Sequence, residues 1–138
     1  MKMLIDTHIF LWMLSCPEKL NEKRRYALES RSNEIFLSAM SIAELMIKHS
    51  IGKIHVDFNP VEMAEKSGVE MMSFSGAEAM LLGQLPLHHR DPFDRMIIAQ
   101  SLVYGLPVMS DDPKFLKRGI HLAQLTPTYC GQTPPCFE

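Results

Sequence analysis

Four short apolar runs, each too brief for a helix, are separated by longer stretches with helical spacing. This alternation constrains the chain more than any other feature. The runs are MLI (3–5), EIFLS (34–38), VEMMSF (69–74) and LPVMS (106–110). Between them lie IFLWML (9–14), NEKRRYALESR (21–31), SIAELMIKHSIG (41–52), NPVEMAEKSG (59–68), SGAEAMLLGQL (75–85) and PFDRMIIAQSLVYG (92–105). Pro17, Gly52, Gly68 and Pro86 stand at the expected helix ends, where a missing N–H or a left-handed turn stops a helix. Buried strands alternating with helices predict an α/β domain with a mostly parallel sheet. A short helix at 112–119 and a weaker strand at 120–125 extend the pattern, giving four or five strands. The domain is therefore expected over 1–125, with 126–138 an extended or disordered tail containing Pro127, Pro134 and Pro135.

The 138 residues are 46% hydrophobic and 22% charged, enough for one core. The formal net charge of −2 supplies no strongly basic field. Holding nucleic acid would thus need a local basic patch or bound cations. No run approaches the roughly 18 to 20 apolar residues of a membrane span. Asp6 interrupts the apolar N-terminus, which makes a poor signal peptide, and a cytoplasmic location is expected. Cys16, Cys130 and Cys136 are an odd set without CxxC spacing, so neither a disulfide framework nor a zinc site is expected.

In a parallel sheet, ligands bind beyond the carboxyl ends of the strands, so the acids near those ends matter most. Several have simple capping explanations. SIAE (41–44) fits a capping box, with Ser41 as N-cap and Glu44 at N3. DPFD (91–94) fits Asp91 as N-cap, Pro92 at N1 and Asp94 in the first turn. Asp112 precedes Pro113 in the same way. Asp6 stands apart, because Thr7 is the better cap for the following helix. Taken together, Asp6, Glu44, Asp94 and Asp112 gather on one edge of the sheet. Carboxylates collected there repel one another, and a hard divalent cation relieves that repulsion. Such an ion can activate water against a phosphodiester, and it explains how a mildly acidic protein could hold RNA.

The stretches MLIDTHIFLW, LSAMSIAELMIKHSIGKI and HHRDPFDRMIIAQSLVYGLPVMSDDPKF resemble PIN-domain ribonucleases, above all the toxins of VapBC-type toxin–antitoxin modules. The resemblance runs from Met3 to Leu125, and the order of its pieces makes it specific. It implies a PIN-like three-layer fold, a central parallel sheet of four or five strands flanked by helices. It also implies Mg²⁺- or Mn²⁺-dependent cleavage of RNA, a cognate antitoxin and a homodimer. Carried over residue by residue, the catalytic and metal-binding acids are Asp6, Glu44, Asp94 and Asp112. Asp111 stands one residue from the fourth and is an alternative to it. Ser110 matches a small hydroxyl residue that would hold a carboxylate or a water.

The remaining charged residues have ordinary readings beside functional ones. None of the six histidines is assigned as a ligand. Arg95 suits a carboxylate, a phosphate or a structural salt bridge. KRR (23–25) and KFLKR (114–118) read first as solvated helix faces, and second as guides for RNA. Two other functions compete with the nuclease. One is a catalytically inactive PIN-like module that binds RNA or protein. The other is a haloacid-dehalogenase-type phosphatase, which wants Asp-x-Asp after the first strand; Asp6-Thr7-His8 lacks the second acid.

Overall fold

A computed structural model describes residues 1–85 and 91–111. Four strands form its sheet: β1 (Lys2–Ile5), β2 (Glu34–Ser38), β3 (Val69–Met72) and β4 (Val108–Met109). Six α-helices are present among the described residues: α1 (Thr7–Ser15), α2 (Glu22–Glu29), α3 (Ala39–Ser50), α4 (Pro60–Lys66), α5 (Gly76–Leu81) and α6 (Pro92–Tyr104). The sheet is wholly parallel, in the order β3-β2-β1-β4. This is the expected α/β architecture. The expected helix at 112–119, strand at 120–125 and tail at 126–138 lie outside the described residues.

Alternation along β1 explains the three layers. Met3 and Ile5 pack into one cluster with Ile9 and Phe10 of α1, Ala27 of α2 and Leu45 of α3. Leu4 points the other way, into a cluster with Ile97, Ile98 and Ala99 of α6. Successive strand side chains face opposite sides, so an apolar run without alternation marks a strand covered on both faces. β4 repeats the rule, with Val108 in the second cluster and Met109 in the first.

The order of the strands fixes where a ligand can sit. The chain steps from β1 to β2 to β3 in one direction, then returns to place β4 on the free side of β1. Strand order reverses at the β1/β4 seam, the place where ligands bind in open parallel sheets. The seam is narrow: Ile5 pairs with Met109, and Asp6 donates its N–H to the Met109 carbonyl at 3.0 Å.

The helix ends follow local chemistry. Asp91 caps α6 ahead of Pro92, as expected, accepting from the Phe93 N–H at 2.9 Å. At the other end Gly105 takes φ 64°, a left-handed cap that an L side chain would strain. Two expected caps are corrected. The cap of α1 is Asp6 rather than Thr7, and the cap of α3 is Ser38 rather than Ser41. In both places the chain passes from strand to helix almost without a loop. The last extended residue, or the one after it, is then the one whose side chain can turn back onto the first N–H groups.

Candidate functional site

Asp6 stands at the reversal point. Its backbone is extended, and its Oδ1 accepts the Ile9 N–H at 2.8 Å. Its Oδ2 accepts a hydrogen bond from the Ser110 hydroxyl, which arrives from the far side of the seam. Ser110 therefore holds a carboxylate, one of the two roles its sequence pattern suggested. Asp6 is buried, and burial pushes its carboxyl above the usual carboxylate range. The Ser110 and Ile9 hydrogen bonds and the neighbouring His8 pull the other way, while the charge of Glu44 adds to the rise.

Glu44 reaches the same edge from α3. Because α3 begins at Ala39, Glu44 lies in its second turn and is no part of a capping box with Ser41. Its carboxylate is buried and doubly held. Thr7 Oγ1 donates to Oε1 at 2.7 Å, and Lys48 Nζ donates to Oε2 at 2.5 Å. Thr7, freed from capping, thus ties the start of α1 to α3, beside Asp6. Ser41 is wholly buried in the first turn of α3, and its hydroxyl finds no partner among the described residues.

Asp94 lies in the first turn of α6, partly buried. Its relation to the other acids runs through Lys48. The Glu44 hydrogen bond raises the Lys48 ammonium above its ordinary value against the effect of burial, and the charges of Glu44, Asp91 and Asp94 raise it further. Lys48 therefore gathers the field of three carboxylates. Asp111, the spare acid beyond β4, points into an ion pair with Arg24 at 2.7 Å. Asp112 lies outside the described residues.

Asp6 and Glu44 are thus brought together, Asp94 is linked to them through Lys48, and Asp112 has no described position. Among the described residues, no three of His, Cys, Asp and Glu stand close enough together to hold a metal ion as they are. Arg95 donates to the carbonyls of Leu82 at 2.8 Å and Leu85 at 3.3 Å, fastening the segment before α6. His88, His89 and Arg90 lie outside the described residues. His8 is exposed and meets the edge of Trp12.

Three residues at this edge take roles that the sequence does not assign to them. Lys48 had a signal, the i, i+4 spacing from Glu44 that favours a helical ion pair. Thr7 reads locally as a helix cap, and the Asp6 cap leaves its hydroxyl for Glu44 instead. Arg24, inside KRR, had no signal, because its partners lie 86 and 87 residues away.

Comparison with known proteins agrees with this architecture. The PIN domain family model matches residues 3–120. No curated protein matches the chain. Among solved structures it is similar to VapBC2 from Rickettsia felis bound to a DNA fragment from their promoter, with a TM-score of 0.61 and 16% identity. That match covers 88% of this chain and 96% of the other. It is also similar to a toxin–antitoxin complex from Klebsiella pneumoniae, with a TM-score of 0.55 and 19% identity, covering 82% and 89% of the two chains. At these identities the likeness speaks for the fold. No described helix is long and apolar enough to cross a membrane.

Proposed function

Because the chain belongs to the PIN-domain family, we propose that it is a Mg²⁺- or Mn²⁺-dependent endoribonuclease acting as the toxin of a toxin–antitoxin pair. One observation carries the reading. Two buried carboxylates, Asp6 and Glu44, reach the seam of strand reversal from separate elements, close enough for Glu44 to raise the Asp6 carboxyl. Collecting negative charge in a poorly hydrated edge costs stability. Lys48 offsets part of that charge, and a positive ligand bound there would offset the rest.

The donors suit a hard cation. They are all carboxylate oxygens, and Mg²⁺ usually takes one or two carboxylates, keeping waters and substrate phosphates for its other positions. Asp6 and Glu44 would hold it, with Asp94 and Asp112 completing the set. When bound, the ion supplies Lewis-acid charge and lowers the pKa of a bound water.

The chain's own groups orient the site. Ser110 and the Ile9 N–H fix both Asp6 oxygens, and Thr7 fixes one oxygen of Glu44. Lys48 balances the carboxylates and places a partly exposed positive charge beside them, which favours an approaching phosphate backbone. The toxin role draws on the sequence resemblance to VapBC-type toxins and on the similar fold of the Klebsiella pneumoniae structure, which is described as a toxin–antitoxin complex. By analogy the partners are RNA as substrate, a cognate antitoxin and a second copy of the chain, all in the cytoplasm.

The test is cleavage of RNA by the purified chain with Mg²⁺ or Mn²⁺, beside Asp6→Asn and Asp94→Asn. Loss of cleavage in both variants is expected, and full activity in both would sink the assignment. RNA held but left uncut by the wild type would favour the inactive binding module instead. Sequencing the RNA ends produced on induction would identify the substrate, and co-purification with the product of the neighbouring gene would identify the antitoxin.

A further inference from the structure

We infer that Arg24 is a positioning residue for the Asp6 carboxylate and that Asp111 is its structural counter-ion rather than a metal ligand. The inference rests on the metal-site reading above. It starts from the shortness of β4. Val108 and Met109 are its only residues, and the ladder to β1 ends where Ile5 pairs with Met109. Ser110 is the first residue past that ladder, yet its hydroxyl must meet Asp6 across the seam.

Arg24 adds a constraint beyond the ladder. Its Nη2 donates to the Ser110 carbonyl at 3.1 Å, and its Nη1 donates to Asp111 Oδ1 at 2.7 Å. Two acceptors from consecutive residues, the Ser110 carbonyl and the Asp111 carboxylate, match the planar fork of a guanidinium, which a lysine ammonium cannot reproduce. The Arg24 side chain is only 13% exposed, so the fork is packed in place. Its backbone is fixed as well, since the Arg24 N–H donates to Asn21, the cap of α2, at 2.9 Å. A rigid helix start therefore holds the Ser110 carbonyl, and the Ser110 hydroxyl holds Asp6.

The same fork disposes of the spare acid. Asp111 would otherwise be a loose carboxylate one residue from Ser110, able to compete for a cation. Paired with Arg24, it points its charge at α2.

The experiment uses the full chain and Mn²⁺ alone, with binding followed by titration calorimetry. Arg24→Ala and Ser110→Ala are each expected to weaken Mn²⁺ binding about tenfold, the scale for outer partners of metal ligands. The double variant should lose no more than either single one, because both act through one hydrogen bond to Asp6. Arg24→Lys keeps the charge and loses the fork, and should also bind more weakly. Circular dichroism and melting without metal check that each variant is folded. Asp111→Asn should lose no more than about threefold, as for a half-exposed ion pair. Unchanged Mn²⁺ affinity in both Arg24 variants would overturn the inference. So would losses that multiply in the double variant, or a loss in Asp111→Asn as large as in Asp6→Asn. If the wild type binds no Mn²⁺, or Asp6→Asn binds it equally well, the metal site itself is refuted and this inference falls with it.

Discussion

Lys48 Nζ lies 2.5 Å from Glu44 Oε2, one helical turn farther along α3, and makes the Glu44 carboxylate tolerable where it is buried. The Glu44 side chain is 5% exposed and that of Lys48 34%, so removing the lysine strands a charge that water reaches poorly. Lys48→Met should destabilise the metal-free protein by about 1–3 kcal/mol, the usual cost of an unpaired buried partner. A divalent cation would offset that loss by neutralising the same carboxylate. The melting temperature should therefore rise more on adding Mn²⁺ in Lys48→Met than in the wild type. An equal rise in both would separate Lys48 from the metal site.

The raised Asp6 carboxyl has a consequence for stability. Its folded-state pKa lies above the unfolded value, so the folded protein holds this proton more tightly. That contribution is fully present below about pH 3.8 and is lost as pH rises through the raised folded value. At neutral pH without metal, the ionised Asp6 is thus a cost. Asp6→Asn keeps an acceptor for the Ile9 N–H and an amide that can donate to Ser110, while removing the charge. It should melt higher than the wild type at pH 7, by roughly 3–5 °C for each 1 kcal/mol relieved, and the advantage should vanish toward pH 4. Melting curves over that range, taken with a chelator, test both sign and window. A variant less stable at pH 7 would contradict the burial argument.

Asp91 and Asp94 are three residues apart and should fail differently. Asp91 accepts the Phe93 N–H at 2.9 Å and caps α6, so Asp91→Ala should cost about 1 kcal/mol in urea denaturation. It should leave RNA cleavage largely intact at temperatures where the variant is folded. Asp94→Asn keeps the cap and should cost little stability but most of the activity. The opposite pairing of effects would show that the two aspartates have exchanged roles.

The contrast between these acids also shows how much the sequence could reveal. Asp91 was legible because Asp-Pro is a local signal, and capping needs nothing beyond the next three residues. The doubly covered β1 was legible because MLI has no polar alternation. Ser41 and Glu44 show how a local signal can mislead: they have capping-box spacing, but α3 had already begun at Ala39. The true capping box lies at Ser75 and Glu78, in a stretch read simply as helical. Contacts between elements were the least legible part. Arg24 with Asp111 and Thr7 with Glu44 depend on how layers stack, which spacing along one helix does not encode. The family resemblance supplies Asp6, Glu44 and the Ser110 hydroxyl, whereas Thr7, Lys48 and Arg24, which hold them, emerge only from the fold.

Thr7 gives the sharpest test of that orientation. Its hydroxyl donates to Glu44 Oε1 at 2.7 Å, and both residues are buried. Thr7→Val preserves shape, apolar packing and helix position, and removes only the donor. Glu44 then keeps Lys48 on one oxygen and loses its partner on the other, which should cost about 1–3 kcal/mol. Because the two residues share one hydrogen bond, their effects should not add. Glu44→Ala should destabilise the Thr7→Val background by less than it destabilises the wild type. Urea denaturation of the four proteins gives the coupling directly. Cleavage should fall in Thr7→Val even under conditions where it is fully folded, since Glu44 is free to turn away from Asp6. Strict additivity in the cycle, together with unchanged cleavage, would mean that Thr7 only fills space and that Glu44 is held by Lys48 alone.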